Sequence, residues 1–410
     1  MTDFVRDQLI DTARDMLERL DSGEITLADN ILSVAASHYT SAERANTEHD
    51  QVFRRLPLML AASAELPKAG DYKALNVANV PVLLSRDEQG HVRAFLNACT
   101  HRGSVLAEGK GCAKRFTCPY HGWSFHQDGR LLGVASPREF GELDKSAFGL
   151  VQFPVYETAG LIWVVLTPQS SLDISAFLAG IDELLAAYNL ENWQCIEQVT
   201  LPGANWKLAF DAHLDFYHLP VLHRDTFGRD ISNLAQYYFY GPHQRLGLMS
   251  ANPLVPEQAA FLHLKTLPEA QWPTDNLLFG EWILFPNVSL NCFSAEHRVM
   301  VISQVFPGDS PGESVTVQTY LMESDAAEVP EGVRSIVDFI QHVVRDEDLP
   351  MSRQQQLALE SGLLRQVHFG RNESGLQDYY RWLARIVDND DIDLADLFSH
   401  SRPLSTPSEG

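Results

Sequence analysis

Cysteine is scarce, five in 410 residues and an odd number. That excludes the disulfide framework of a small secreted protein and points to a reducing compartment. No apolar run approaches the roughly 20 residues needed to cross a bilayer, so no membrane association is expected. The amino terminus lacks a basic start, an uninterrupted apolar centre and a small-residue cleavage site, which makes a secretory signal unexpected and a cytoplasmic location the reading. Basic residues are also in short supply: 31 Lys and Arg face 54 Asp and Glu, for a formal net charge of −23. Phosphate contacts need clustered cations, so nucleic acid is set aside, whereas an acidic surface can steer a basic patch on a partner protein.

What is present suits a soluble globular protein of two or three domains, with 45% hydrophobic and 21% charged residues. Over 4–20, Val5, Leu9, Ala13, Met16, Leu17 and Leu20 fall at helical spacing with charges of both signs opposite, a helix that packs on the body of the protein. Helices are also expected at 28–38 and 42–56. After Pro57 the pattern changes to short apolar runs with turns between them, which predicts strands at 82–84, 92–96, 123–125, 131–134 and 161–166. Helical spacing returns at 172–188. Strands follow at 195–201, 281–293, 298–306 and 314–322, then helices at 333–364 and 379–387. The last ten residues, 401–410, are expected to be disordered.

Two stretches carry chemistry. In the first, 99–121, Cys99-x-His101 and Cys118-x-x-His121 are separated by sixteen residues, and each pair sits beside a glycine, Gly103 or Gly122, where the backbone can turn sharply. Two cysteines on one iron and two histidines on the other is the ligand set of a Rieske [2Fe–2S] cluster. The competing reading is a structural zinc site, which more often takes its ligands in like pairs. Cys112, inside the same loop, reads as a small buried apolar residue. In the second stretch, 205–223, His218 and His223 are candidate metal ligands with Asp215 three residues before them. On a regular helix they would lie about 140° apart, so the helix must be distorted between them, and Pro220 is placed to do that.

Taken together and in this order, the two motifs resemble the terminal oxygenase component of the Rieske non-haem iron oxygenases. The resemblance covers all but the amino-terminal helices and implies an α+β fold. A Rieske domain of antiparallel sheets is expected at 45–166, a catalytic domain whose curved antiparallel sheet grips a long helix at 167–400, and N-terminal helices packed on it at 1–44. It implies a mononuclear Fe(II) held by His218, His223 and a downstream carboxylate, for which Asp348 fits the pattern of Glu-Asp followed eight residues later by a glutamine. Asp346 and Glu347 compete for that role. Asp215 is implied as the bridge between a cluster histidine of a neighbouring subunit and an iron-ligating histidine. His213 and the pair Asp211-Ala212 depart from the family pattern. The weaker pocket candidates are Phe210, Leu214, Phe216, Leu222, Phe227, Phe285, Asn291 and Phe293.

The activity implied is dioxygen activation and hydroxylation of an apolar, aromatic small molecule, with monooxygenation of a non-aromatic substrate or demethylation as the alternative. No Gly-x-Gly-x-x-Gly fingerprint occurs, so NAD(P)H electrons must arrive through a separate reductase or ferredoxin. The implied assembly is a homotrimer. Readings from other classes are a simple electron carrier, which leaves about 240 residues without a purpose, and a zinc-bearing structural protein.

Overall fold

The computed structural model describes residues 2–228, 231–248, 256–389 and 393–399, so the expected tail at 401–410 lies outside the described residues. Two packed cores organise them. The smaller one gathers Leu83, Phe95, Leu106, Phe116, Trp123, Phe125 and Leu131 around Cys99 and Cys118, while nearly every other buried apolar side chain belongs to the larger. The smaller core lies between a five-stranded sheet, whose central strand is Val80–Arg86, and a three-stranded one formed by Arg115–Thr117, Ser124–His126 and Leu131–Gly133. All of their pairings are antiparallel. Short antiparallel strands need only tight turns, and the loops between them are left free to present side chains at one end.

The larger core is built on a seven-stranded antiparallel sheet running from Gln194–Gly203 at one edge to Ala235–Tyr240 at the other. Helix Trp206–Leu214 packs on its strands Arg298–Pro307 and Ser314–Met322. A second helical segment, 331–360, packs on Arg298–Pro307 and on Gln194–Gly203. The mixture of helices and antiparallel sheets is the expected α+β class. The amino-terminal helix Asp3–Ser22 buries Val5, Leu9, Ala13, Met16 and Leu17, as its periodicity requires. It is tied to the larger body by Arg6, which donates to the Trp272 carbonyl, and by Arg14, paired with Glu269.

Several expectations are corrected. The stretch 28–38 is not a helix: Leu32–Ala35 is a strand paired with Gln366–Phe369, and only Ser37–Thr40 is helical. A partner more than 300 residues away leaves no local trace, and four residues of alternating burial are too few to reveal a period. The helix expected at 172–188 is interrupted at Ala179 and Gly180, both with positive φ. The one expected at 333–364 ends at Glu360 and contains a widened turn at Val343–Asp348. The paired strands Ala235–Tyr240 and His243–Leu248 had no counterpart in the sequence reading. Cys112 is exposed, because its strand Lys110–Cys112 is the outer edge of the five-stranded sheet.

Candidate active site

The two cysteine-bearing loops are built alike. In the first, the Cys99 N–H donates to the Ser104 carbonyl at 2.8 Å and the Gly103 N–H to the Cys99 carbonyl at 2.8 Å. In the second, Cys118 donates to Trp123 at 2.7 Å and Gly122 to Cys118 at 3.1 Å. Gly103 and Gly122 have φ of 80° and 69°, a conformation costly for any side chain, which is why glycine stands at the same place in both loops. The turns aim main-chain N–H groups at sulfur: those of His101 and Arg102 at Cys99, and those of Tyr120 and His121 at Cys118. Burial pushes the Cys99 thiol up; at Cys118 burial acts the same way but the N–H groups outweigh it and hold that thiol below its usual value.

The ring centroids of His101 and His121 lie 4.7 Å apart, and His101 stacks on Trp123 at 5.0 Å. The His101 Nδ1 atom is buried without a hydrogen-bond partner. Two buried sulfurs that receive N–H groups, and two adjacent imidazoles of which one has an orphaned nitrogen, fit a two-iron cluster with mixed ligands. Among the described residues these four do not gather around a single point as His218, His223 and Asp348 do, which makes one zinc ion the poorer fit.

At the second site the helix Trp206–Leu214 stops and Asp215 is extended, with φ −113° and ψ 110°. A new four-residue helix, Leu219–Leu222, then begins with Pro220 in its first turn. The distortion therefore precedes the proline, which starts a helix instead of breaking one, because its missing N–H costs nothing in a first turn. The result turns the Nε2 atoms of His218 and His223 toward each other at 3.1 Å. Across the molecule, the widened turn Val343–Asp348 delivers Asp348, whose Oδ1 lies 3.1 Å from His223 Nε2 and 3.6 Å from His218 Nε2. All three ligand atoms lie within 4.8 Å of one another.

The donor chemistry fits a metal at their centre. Each imidazole has its other nitrogen taken by a carboxylate: His218 Nδ1 lies 3.3 Å from Asp215 Oδ2, and His223 Nδ1 lies 2.5 Å from Glu347 Oε2. Those partners keep a proton on Nδ1 and leave both Nε2 lone pairs facing inward. Asp348 Oδ1 is buried without a hydrogen bond. Burial alone would depress the His223 pKa, yet Asp348 and Glu347 more than offset it, so the field at this point favours positive charge. Two histidines and one carboxylate form the facial set that suits non-haem iron.

The competitors of Asp348 separate clearly. Asp346 faces away and pairs with Arg345 and His342, whose contacts hold its carboxyl down to about 2. Glu347 instead braces His223 and accepts from Thr226 at 3.0 Å. Glu347→Gln is therefore expected to weaken iron affinity by about 10- to 100-fold, read by chelator competition, while Asp346→Asn leaves it unchanged. Gln356, the glutamine of the pattern, stays away from the metal point: its Oε1 accepts from the Asn205 N–H and so ties helix Leu349–Glu360 to the start of helix Trp206–Leu214, which Asp215 follows. Asp211 is half-buried and receives the Tyr380 hydroxyl; desolvation holds it well above the usual carboxylate range although that hydrogen bond opposes the shift.

A cavity of about 190 Å³ adjoins the three ligands. Its floor follows the sheet register: Ser289, Asn291 and Phe293 alternate along one strand, opposite Ser303, Val301 and Val299, and Gln318 pairs with Ser303 on the next. Of the expected pocket residues, Phe216, Phe227, Asn291 and Phe293 line it, and so does His213, whose Nδ1 lies 3.2 Å from Glu281 Oε1. Phe210, Leu214 and Phe285 do not, because they are fully buried in the larger core, the two phenylalanines against Tyr379. Leu222 faces a separate outer groove. Glu281 and Glu257 also line the cavity and escaped the sequence reading. For Glu281 a signal existed, a lone carboxylate opening an apolar strand, Glu281–Leu284.

The chain matches two family models in sequence, the Rieske [2Fe-2S] domain over residues 57–154 and the ring hydroxylating alpha subunit (catalytic domain) over 190–389. It is 28% identical over 370 residues to the carnitine monooxygenase oxygenase subunit of Escherichia coli (strain K12), covering 86% of this chain and 93% of that one. It is 32% identical over 204 residues to the anthranilate 1,2-dioxygenase large subunit of Acinetobacter baylyi, a match that spans 48% of this chain and only 43% of that relative. Among solved structures, a quaternary ammonium Rieske monooxygenase in complex with L-carnitine superposes with a TM-score of 0.72 at 20% identity, covering 88% of this chain and 96% of that chain. Naphthalene 1,2-dioxygenase from Rhodococcus sp. also superposes at 0.72, with 21% identity and coverage of 94% and 99%. Two domains in the family's order, over donor atoms suited to its two iron centres, make this chain a member of the Rieske non-haem iron oxygenases.

Proposed function

We propose that this terminal oxygenase inserts oxygen into a small cationic N-alkyl compound, with a monooxygenation favoured over ring dihydroxylation. Charge in the cavity carries the reading. Two carboxylates, Glu281 and Glu257, face a space lined by Phe216, Phe227, Phe279 and Phe293, and among the described residues that line it there is no lysine or arginine. Glu281 is buried and is met by His213, Ser289 and Asn291. Glu257 accepts from the Ser294 N–H with one oxygen, while its buried Oε2 has no partner, and burial pushes its pKa up. Buried carboxylates are costly unless paired, and aromatic faces attract a quaternary nitrogen, so an alkylammonium satisfies both groups of residues at once. An anionic arene would face Glu281 and Glu257 with no lysine or arginine among the described lining residues to pair with. The volume also matters: an apolar cavity of about 150 Å³ holds benzene, so a space of 190 Å³ suits a compact molecule and not a fused polycycle.

His218, His223 and Asp348 would hold the ferrous ion, and Cys99, His101, Cys118 and His121 the cluster. Bound there, the iron supplies dioxygen activation next to the substrate. The protein's own residues do the rest. Asp215 and Glu347 keep the two imidazoles oriented with protons on Nδ1, and the Phe216, Phe227 and Phe293 side chains exclude water from the reacting carbon. Glu281 and Glu257 would anchor the cationic nitrogen and so present its alkyl carbon to the metal side.

The outer groove around Asp215 receives residues such as Tyr217, Val221, Met351 and Glu373, and none from 57–154. Electrons reaching Asp215 would therefore come from the cluster of another copy, which supports a head-to-tail homotrimer, since such packing closes a ring in which every site has a donor.

The substrate class is tested by oxygen uptake across alkylammonium, neutral aromatic and aromatic carboxylate compounds. Uptake coupled to product is expected with the ammonium compounds, and Glu281→Gln should raise their KM by at least about 10-fold with a smaller change in kcat, because a desolvated charge pair is lost. Coupled turnover of a neutral arene, with ammonium compounds inert, would overturn the assignment.

A further inference from the structure

The chain is strongly acidic, yet the region of the cluster loops is not: residues 99–130 contain five Lys or Arg and two Asp or Glu. Two of the five are internally neutralised, Lys110 by Glu65 and Arg130 by Asp128. Among the described residues Arg102, Lys114 and Arg115 have no ion pair, and all three are exposed. Arg115 lines a shallow groove with Val105, Thr117 and Pro119, and Glu108 is its one carboxylate. Lys114 follows Ala113, another lining residue.

This groove adjoins the cysteine side of the loops. Pro119, exposed on its wall, directly follows Cys118, while Leu106 and Phe116, on its floor, pack with Cys99 and Cys118 in the smaller core. The groove thus offers a short covalent route inward, and it shares no residue with the outer groove at Asp215, where electrons from another copy would arrive. We propose that this basic-rimmed groove is the docking surface for the electron donor, and that the donor is a one-electron iron–sulfur or flavin protein with an acidic face. In each encounter the reduced donor loses one electron and the cluster gains it, with no bond made or broken. The inference rests on the oxygenase reading. It also reverses the sequence-based expectation that the acidic balance would attract a basic partner: a local field within a Debye length of the contact, about 8–10 Å, steers docking more than the net charge does. A partner seated on Val105 and Pro119 would also cover apolar surface that is otherwise left to water.

The test uses intact, cluster-loaded protein and a reduced acidic [2Fe–2S] ferredoxin as probe. Stopped-flow bleaching gives the second-order rate of reduction, and calorimetry with the oxidised ferredoxin gives Kd without turnover. The double variant Lys114→Glu/Arg115→Glu should be reduced at least about 10-fold more slowly at low ionic strength and bind correspondingly more weakly, and salt should erase the difference. Its reduction by dithionite and its visible spectrum should match wild type. Arg334→Glu, on helix Glu331–His342, removes the same kind of exposed cation elsewhere and should change nothing. Wild-type rate and Kd in the double variant, or an equal loss in the Arg334 variant, would overturn the docking surface and leave the oxygenase reading standing. Loss of the assembly in the double variant would assign the groove to a second copy of the chain instead. Protein without cluster absorption after iron–sulfur reconstitution would overturn both readings.

Discussion

Asp348→Ala is expected to give a protein that keeps the colour of its cluster and loses its mononuclear iron, with turnover reduced by at least about 100-fold. Wild-type protein should bind about three irons and two acid-labile sulfides per chain, and the variant about two irons with the sulfide unchanged. The asymmetry follows from the placement of the groups. Asp348 contributes the one anionic atom of the three that converge, 3.1 and 3.6 Å from the two Nε2 atoms. Cys99 and Cys118 belong to a different core. Without the carboxylate, two neutral imidazoles remain, too few and too weak to retain Fe(II) against water. Iron and sulfide analysis beside the visible spectrum checks this, and unchanged iron content would remove Asp348 from the ligand set.

The second large effect concerns the path of electrons. Chains carrying Cys118→Ser have no working cluster, and chains carrying His223→Ala have no working iron, so each is expected to be inactive alone. Dissociated, mixed and reassociated, they should recover turnover, because some rings would place an intact cluster beside an intact iron on the next chain. Asp215→Asn, introduced into the chains that carry the intact iron, should abolish that recovery while both metals stay bound. The amide keeps the shape but loses the charge that holds the His218 Nδ1 proton at 3.3 Å, and with it the contact a neighbouring imidazole would use. Persistent inactivity in proven mixed assemblies would place transfer within one chain, and full recovery with Asp215→Asn would route electrons elsewhere.

The Cys99, His101, Cys118 and His121 loops, the histidine pair and the order of the two domains were legible in the sequence alone. Such sites depend on residue types at short spacings, and glycines such as Gly103 and Gly122 mark where a backbone must take positive φ. About half of the described strands and the amphipathic helix Asp3–Ser22 were legible for the same reason, since period and turn chemistry act over a few residues. What required the tertiary structure was everything set by distant partners. Leu32–Ala35 becomes a strand only because Gln366–Phe369 lies beside it. Asp346, Glu347 and Asp348 are three neighbouring acids until the widened turn sends one to solvent, one to His223 Nδ1 and one to the metal point. Phe210 and Phe285 are as apolar as Phe216 and Phe293, and only packing against Tyr379 keeps the first two in the core. The cavity's charge was decided in the same way, because Glu281 and Glu257 come from separate elements and face one space only when the sheet and the helix Pro256–His263 have closed around it.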